Sequence, residues 1–416
     1  MSEWKRYKLS DLYEMSSGIS STKEQAGHGS PFLSFSVVFN NYFLPDSLID
    51  LMDTTDGDKQ KYSINEGDIF LTRTSETVDE LAMSSVALKD YPEASFSGFL
   101  KRLRPVDKRI VYPKFMAFYL RSPLFRRTII NNTVMTLRAS FNEAMFSYLE
   151  IMLSDIDTQK KIGDFLYSLE KKKQTNNQIN QELEAMAKTL YDYWFVQFDF
   201  PDQNGKPYKS SGGKMVYNPE LKREIPEGWG VDSLWNIANF YNGLAMQKYR
   251  PDTNEDDCLP VIKIREMMNG FSKETEKARL DIPTEAVVES GDILFSWSAT
   301  LEVIIWGKER GALNQHIFKV TSDTYPKSFI YFELKSYLKV FKAIAELRKT
   351  TMGHITQDHL KQAKIVVPPI EIISKLDAKL QPIMLKQQIL ENQNQELTQL
   401  RDWLLPMLMN GQVKVE

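Results

Sequence analysis

A chain that repeats itself must fold as similar bodies, and this one repeats in a fixed order over most of its length. WKRYKLSDLYEMSSGIS begins at Trp4 and WGVDSLWNIANFYNGLA begins at Trp229, so that Trp4/Trp229, Leu9/Leu234 and Gly18/Gly243 all stand 225 residues apart. EGDIFLTRTS from Glu66 answers SGDILFSWSA from Ser290 at a spacing of 224. YPKFMAFYLRS from Tyr112 answers YPKSFIYFELKS from Tyr325 with one inserted residue. Phe141, Phe146 and Ile151 match Ile355, Leu360 and Ile365 at 214, the spacing that also separates NQEL at Asn180–Leu183 from NQEL at Asn394–Leu397. Chance supplies one such match, not six in unbroken order. The chain is a tandem duplication whose second copy starts near Glu224.

Each copy reads as a mixed globular part followed by a long helix. GDIFLT and GDILFSW are strands entered through a Gly-Asp turn, and the two YPK segments are helices opened by proline. From Thr158 to about Phe195 the only glycine or proline is Gly163. Counting sevens from Ile162 places Ile162, Leu169, Asn176, Leu183 and Leu190 on one seam. Phe165, Lys172, Ile179, Met186 and Tyr193 fall at the companion position. Shifting by 214 puts Leu376, Ile383, Leu390, Leu397 and Leu404 on the seam of the second helix, with Lys379, Lys386, Gln393, Leu400 and Met407 as a weaker companion set. Pro382 is expected to kink or restart this helix, and Pro406 lies near its end.

Matched registers give each seam a ready partner, so the expected fold is α+β. Two pseudo-symmetric mixed α/β globular domains are separated by a long antiparallel two-helix coiled coil. The boundaries are residues 1–155 and 229–367 for the globular domains, 156–199 and 368–416 for the spacer helices, and 200–228 for an exposed linker rich in Gly, Pro, Ser, Asn and charge.

Overall charge favours no partner, because the net is only −3. Its distribution does. Lys101–Arg138 carries ten Lys/Arg against Asp107, and Lys327–Lys364 carries eight against three acids, each preceded by an acidic stretch. Such basic surfaces suit a phosphate backbone through counterion release. Sequence reading needs further donors and apolar tips in loops. Arg73, Thr74 and Ser75 follow the first Gly-Asp strand, and Trp297, Ser298 and Thr300 follow the second. Arg138 and Ser140, with His354 and Thr356, precede the closing strand of each copy. Lys101, Arg102 and Lys349 complete the DNA-contact candidates; each of these residues also suits an ordinary turn or solvated surface.

No phosphate-cradling loop, dinucleotide fingerprint, zinc-protease motif or nucleophile elbow occurs. Val261 stands where a metal-dependent nuclease motif beginning at Pro251-Asp252 needs an acid, and VPPI at Val367–Ile370 lacks the polar first residue of an adenine-methyltransferase loop. Cys258 is the only cysteine, so no disulfide framework exists, a reducing cytoplasm is the expected compartment, and no metal site is expected. No apolar run is long enough to span a membrane.

The two Trp…Leu…Gly openings, the paired Gly-Asp strands, the helices beginning near Thr158 and Ile370 and the linker NGKPYKSSGGKMVYNPELKREIPEGW together resemble the specificity subunits of type I restriction–modification systems. The resemblance covers essentially the whole chain. It implies a non-catalytic subunit of a defence system against foreign DNA, in which each globular part is a target recognition domain reading half of a bipartite double-stranded site. It also implies that the helices fix the gap and dock methyltransferase subunits, and through them restriction/translocase subunits. S-adenosylmethionine, ATP and Mg are then expected in those partners and no cofactor in this chain. Arg73, Arg138, Trp297 and His354 would be the first DNA contacts. The alternative, from a different class, is a coiled-coil adaptor using its globular parts for protein contacts.

Overall fold

The computed structural model of the protein describes residues 4–20, 22–75, 77, 80–133, 139–252, 257–272, 274–347 and 354–415. The chain divides into two compact units, one of Met1–Lys173 with Glu396–Glu416 and one of Gln174–Gln395. Each holds one globular part together with segments of both long helices, Ile156–Tyr191 and Ile370–Met409.

In the first unit a four-stranded antiparallel sheet runs in the order Tyr13–Ser17, Leu100–Pro105, Ile69–Thr72, Ser84–Val86. The second unit repeats that order with Asn239–Asn242, Ile317–Thr321, Ile293–Ser296, Glu302–Ile305. Beside each lies a second sheet, three-stranded in the first copy and four-stranded in the second, containing one parallel pair, Phe32 with Ser95 in the first and Val261 with Ala312 in the second. The strand that enters each globular part pairs with the strand that leaves it: Lys5–Lys8 with Glu150–Leu153, and Gly230–Ser233 with Lys364–Val367. The exit strand then feeds directly into a long helix, so the sheet closes before the helix starts.

The Gly-Asp turns do the same work twice. Gly67 and Gly291 take φ of 90° and 94°, a conformation that a side chain disfavours. The aspartate next in the chain accepts a backbone N–H three residues back, Asn65 N to Asp68 Oδ2 and Glu289 N to Asp292 Oδ2, both at 2.8 Å. The strands entered from these turns, IFLT and ILFS, are buried at every position, which is why they read as continuous runs and not as alternation.

One residue separates the copies in their helical layer. Pro123 lacks the N–H that a helix interior needs, and the first copy has two helices, Pro113–Tyr119 and Pro123–Asn132. Tyr337 takes its place in the second copy, where a single helix runs through Lys327–Leu347.

Asp155 starts the first long helix by accepting from the backbone N–H of Thr158 at 2.9 Å, and these contacts hold its carboxyl below the ordinary range. Gly163 lies on that helix where a Cβ would come within 2.6 Å of the Phe115 backbone nitrogen, so its absence lets the helix pack closely. The helix ends in a wider π turn, Asp192–Val196, after which Phe198 adopts φ 67° and reverses the chain.

Residues 200–228 are mostly exposed, as the linker reading expects, yet they carry regular structure of their own. Phe195, Phe198 and Phe200 enclose Trp229 with ring centroids 5.8, 5.5 and 4.9 Å away. Phe200 also stacks on Tyr208, and Met215–Asn218 pairs with Arg223–Pro226 as a hairpin. Phe200 is buried beside Trp229 and anchors the start of the segment, while its Gly, Ser and charged residues stay at the surface.

Segments of the long helices pair antiparallel inside each unit. In the first, Ile162 and Leu166 share a buried cluster with Leu405 and Leu408, and Arg401 Nη1 lies 3.1 Å from Glu170 Oε2. In the second, Asn176 meets Asn394, Gln387 reaches the Asn180 carbonyl at 3.3 Å, and Leu376 and Leu380 pack in one cluster with Ala187, Tyr191 and Trp194. Every residue of the first-named seam is buried or half-buried: Ile162, Leu169, Asn176, Leu183, Leu190, and Leu376, Ile383, Leu390, Leu397, Leu404.

The companion position needs correction. Lys172, Met186, Lys379, Lys386, Gln393 and Leu400 are exposed, whereas the residues four past each seam position point inward. These are Leu166, Lys173, Asn180, Ala187 and Trp194, and Leu380, Gln387, Asn394, Arg401 and Leu408. Counting by hydrophobicity selected Phe165, Ile179 and Tyr193 because the true set is half polar. The second helix also stays continuous through Pro382 and Pro406. Both prolines are exposed, on the side where water can serve the carbonyl that loses its donor.

Candidate nucleic-acid interface

Gly18 and Gly243 locate the same feature in both copies. A Cβ on Gly18 would lie 2.2 Å from the Ser97 carbonyl oxygen, and one on Gly243 would lie 2.3 Å from that of Asn314. No other residue fits so near a backbone. The close approach lets Ile19 N donate to Phe96 O, and Leu244 N to Leu313 O, both at 2.9 Å. It clamps two tight turns, closed by Leu100 N to Ser97 O at 2.9 Å and Ile317 N to Asn314 O at 3.1 Å. Phe99 and His316 are the third residues of those turns.

From each turn the backbone is stitched across two further segments. Arg73 N donates to Phe99 O at 2.9 Å and Phe141 N to Arg73 O at 2.8 Å. In the second copy Trp297 N donates to His316 O at 3.3 Å and Ile355 N to Trp297 O at 2.8 Å. The stitching between segments runs through main-chain atoms, so side chains at the outer positions are free to differ. They do: Arg73 against Trp297, Phe99 against His316, Ser140 against His354. Interior positions stay apolar or glycine: Gly18/Gly243, Ile69/Ile293, Leu100/Ile317, Phe141/Ile355.

Of the residues singled out in the sequence, Arg73 is exposed at this frame, and its Nη1 lies 3.4 Å from the Gly98 carbonyl. Thr74 and Ser75 are half-buried and pair with Ser140 and Ala139 as a short bridge. Trp297 is half-buried, donates from Nε1 to Asn242 Oδ1 at 3.0 Å, and lies 5.5 Å from the His316 ring and 5.4 Å from the His354 ring. Thr300 is exposed. Arg138 and Lys349 lie outside the described residues.

Four candidates turn out to serve the fold. Lys101 is 3% exposed and reaches Glu143 Oε1 at 2.6 Å and Ser17 Oγ at 2.8 Å. Arg102 is buried and donates to the Ser63 carbonyl at 2.6 Å, and Ser298 is buried too. Thr356 caps the helix Gln357–Gln362, as Asn142 caps its counterpart Glu143–Tyr148. Phe99, His316 and Asn242 sit at the frame and escaped the sequence reading. The spacing of Gly18/Gly243 is the signal that leads to them.

The basic stretches are likewise more internal than their composition implies. Arg104 holds the buried Asp68 with two hydrogen bonds of 2.8 and 2.6 Å. Arg121 donates to the Ser84 carbonyl at 2.6 Å and to those of Val38, Phe39 and Asn41 at 2.7–3.0 Å, the last three at the end of helix Phe35–Asn40 where carbonyls lack helical partners. Burial lowers its guanidinium to about 10. Arg126 reaches the Leu81 carbonyl, and Lys114 reaches Asp164 at 2.8 Å. In the second copy Lys335 and Lys342 both face Glu302, and Lys327 reaches the Gly291 carbonyl. Among the described residues no group of three or more His, Cys, Asp or Glu is placed to hold a metal ion, and no helix is long and apolar enough to cross a membrane.

Two copies of one scaffold, each presenting a different set of side chains on an identical frame, define a two-site recognition protein. The chain belongs to the type I restriction modification DNA specificity domain family, whose model matches residues 1–185 and again 226–399. It is 25% identical to the type I restriction enzyme HindI specificity subunit of Haemophilus influenzae over 99% of this chain and 100% of that one. It is 28% identical to the MjaIX specificity subunit of Methanocaldococcus jannaschii over 64% of this chain and 61% of the relative. The crystal structure of the type I restriction–modification S subunit from M. genitalium shares its fold, with a TM-score of 0.55 at 13% identity over 98% of this chain and 96% of that one. DNA sequence recognition is therefore favoured over the adaptor reading.

Proposed function

We propose that this chain is the DNA-reading subunit of a type I restriction–modification complex, each copy recognising one half of a split double-stranded site. The observation that carries this is the doubled frame at Arg73/Phe99/Phe141 and Trp297/His316/Ile355, stitched by the same backbone bonds and carrying different side chains. Main-chain stitching keeps the shape constant while base-edge contacts vary, as two different half-sites require.

The long helices set the distance between half-sites and dock the modification subunits, to which restriction subunits attach. Chemistry resides in those partners, with S-adenosylmethionine for methyl transfer and ATP and Mg for translocation and cleavage. This chain binds and orients without catalysing a step, in the cytoplasm where the DNA lies.

The test is protection of DNA by the full chain assembled with its modification subunit. A split, asymmetric footprint whose affinity falls with salt supports the proposal. One contiguous footprint, or methyl transfer or cleavage by the chain alone, overturns it.

A further inference from the structure

We infer that Phe99 and His316 are the residues that read bases, one for each half-site, and this rests on the function proposed above. The two are equivalent by geometry. Each is the third residue of a turn clamped against Gly18 or Gly243, and each offers its carbonyl to the next segment of the frame. Their backbones are fixed at both ends, so only the side-chain torsions remain to be ordered on binding.

Phe99 is 65% exposed and belongs to none of the apolar clusters that form the core. A phenyl ring held out at a rigid tip does nothing for the fold. It has the chemistry to meet an apolar feature, and the one that base pairs present in the major groove is the C5-methyl of thymine. Arg73, whose guanidinium lies against the same turn, supplies the charge beside it.

His316 occupies the equivalent place with opposite chemistry. Its ring packs beside Trp297, which buries Nδ1 and leaves Nε2, 3.4 Å from the Gln315 side-chain amide, as the nitrogen that can face a ligand. Trp297 is tied down through Asn242 and packed on Phe318 at 6.0 Å, so it serves as a platform, and the imidazole is the polar group it presents. With the Gln315 amide turned aside, an Nε2–H suits the N7 and O6 acceptors of a purine edge. The first copy thus reads a methyl group and the second an acceptor.

The experiment selects duplexes from a randomised pool with the full chain assembled with its modification subunit, comparing the parent with Phe99→Ala, Phe99→Leu, His316→Ala and Ile49→Ala. Ile49 is 85% exposed and outside the frame, so its variant is the control for removing an exposed apolar side chain. Phe99→Ala is expected to flatten the preference for thymine at one or two positions of a single half-site and to weaken binding about tenfold. Phe99→Leu retains that preference, and His316→Ala flattens a purine preference in the other half-site only. The gap and the thermal unfolding midpoint stay the same. Unchanged preferences in Phe99→Ala and His316→Ala, equal weakening of both half-sites, or an equal effect of Ile49→Ala would overturn the assignment. A parent chain that selects no split site overturns the underlying function as well, which separates the two failures.

Discussion

Asn176 donates its side-chain amide to Oδ1 of Asn394 at 3.0 Å, across the seam between two long-helix segments. Asn394 in turn donates to Asn177 Oδ1 at 2.7 Å. Both amides are buried, so the hydrogen bond between them replaces one that water would have given. A polar pair at one level of a seam also penalises shifted registers, in which each amide would face a leucine. Asn176→Leu is expected to cost about 1–3 kcal/mol by removing the donor to Asn394 Oδ1. Asn176→Leu with Asn394→Leu should cost less than the two single changes added together, with a positive coupling in urea unfolding. Additive losses would mean that the contact carries no mutual stabilisation.

Glu333 links stability to pH. Burial raises its carboxyl to about 7, against the opposing effects of the Tyr191 hydroxyl that donates to it at 2.5 Å and of Arg223. Below the unfolded value near 4.5 the group is protonated in both states, and its contribution is fully present. As pH rises toward and through 7 the folded state holds a proton that the unfolded state has released, and that contribution is lost. The decline should be on the order of 2 kcal/mol, since the residue keeps some contact with solvent. Thermal unfolding of the parent from pH 5 to 8 should show it, and Glu333→Gln should flatten the curve.

Removing a charge from the basic stretch separates fold from binding. Arg104→Met leaves the carboxylate of Asp68 buried and unpaired, for an expected loss of about 3–5 kcal/mol in denaturant unfolding. The slope of log affinity against log salt should not change, because the guanidinium is not available to phosphate. Arg73→Ala should do the reverse, lowering the slope by about one unit with little change in stability.

Gly18→Ala would drive a methyl group into the Ser97 carbonyl at 2.2 Å. The turn must move, so the first half-site should be lost while the second survives, with destabilisation of about 3 kcal/mol or more. Gly243→Ala is the mirror experiment. A variant of either kind that kept full recognition of its own half-site would contradict the clamp.

Seven residues inserted into each long helix add ~10 Å of length. Selection from randomised duplexes should then return the same half-sites with a gap longer by about three base pairs. An unchanged gap with altered half-sites would refute the helices as a spacer.

The duplication, the Gly-Asp strands and the existence and extent of two long helices were legible in the sequence because each rests on local chemistry or on a period that survives without knowledge of neighbours. Pro123, present in one copy and replaced by Tyr337 in the other, decided a local difference in the same way. What the sequence could not decide was which groups face one another. The seam companion was read one residue early because Lys173, Asn180, Gln387, Asn394 and Arg401 point inward, where only tertiary partners make polar side chains tolerable. Lys101, Arg102 and Arg104 counted as a basic surface until the fold gave them Glu143, the Ser63 carbonyl and Asp68. Phe99 and His316 carried no motif at all. They share a place only because two glycines allow the chain to close against its own backbone, and a contact between distant segments is fixed by packing and not by the residues that flank it.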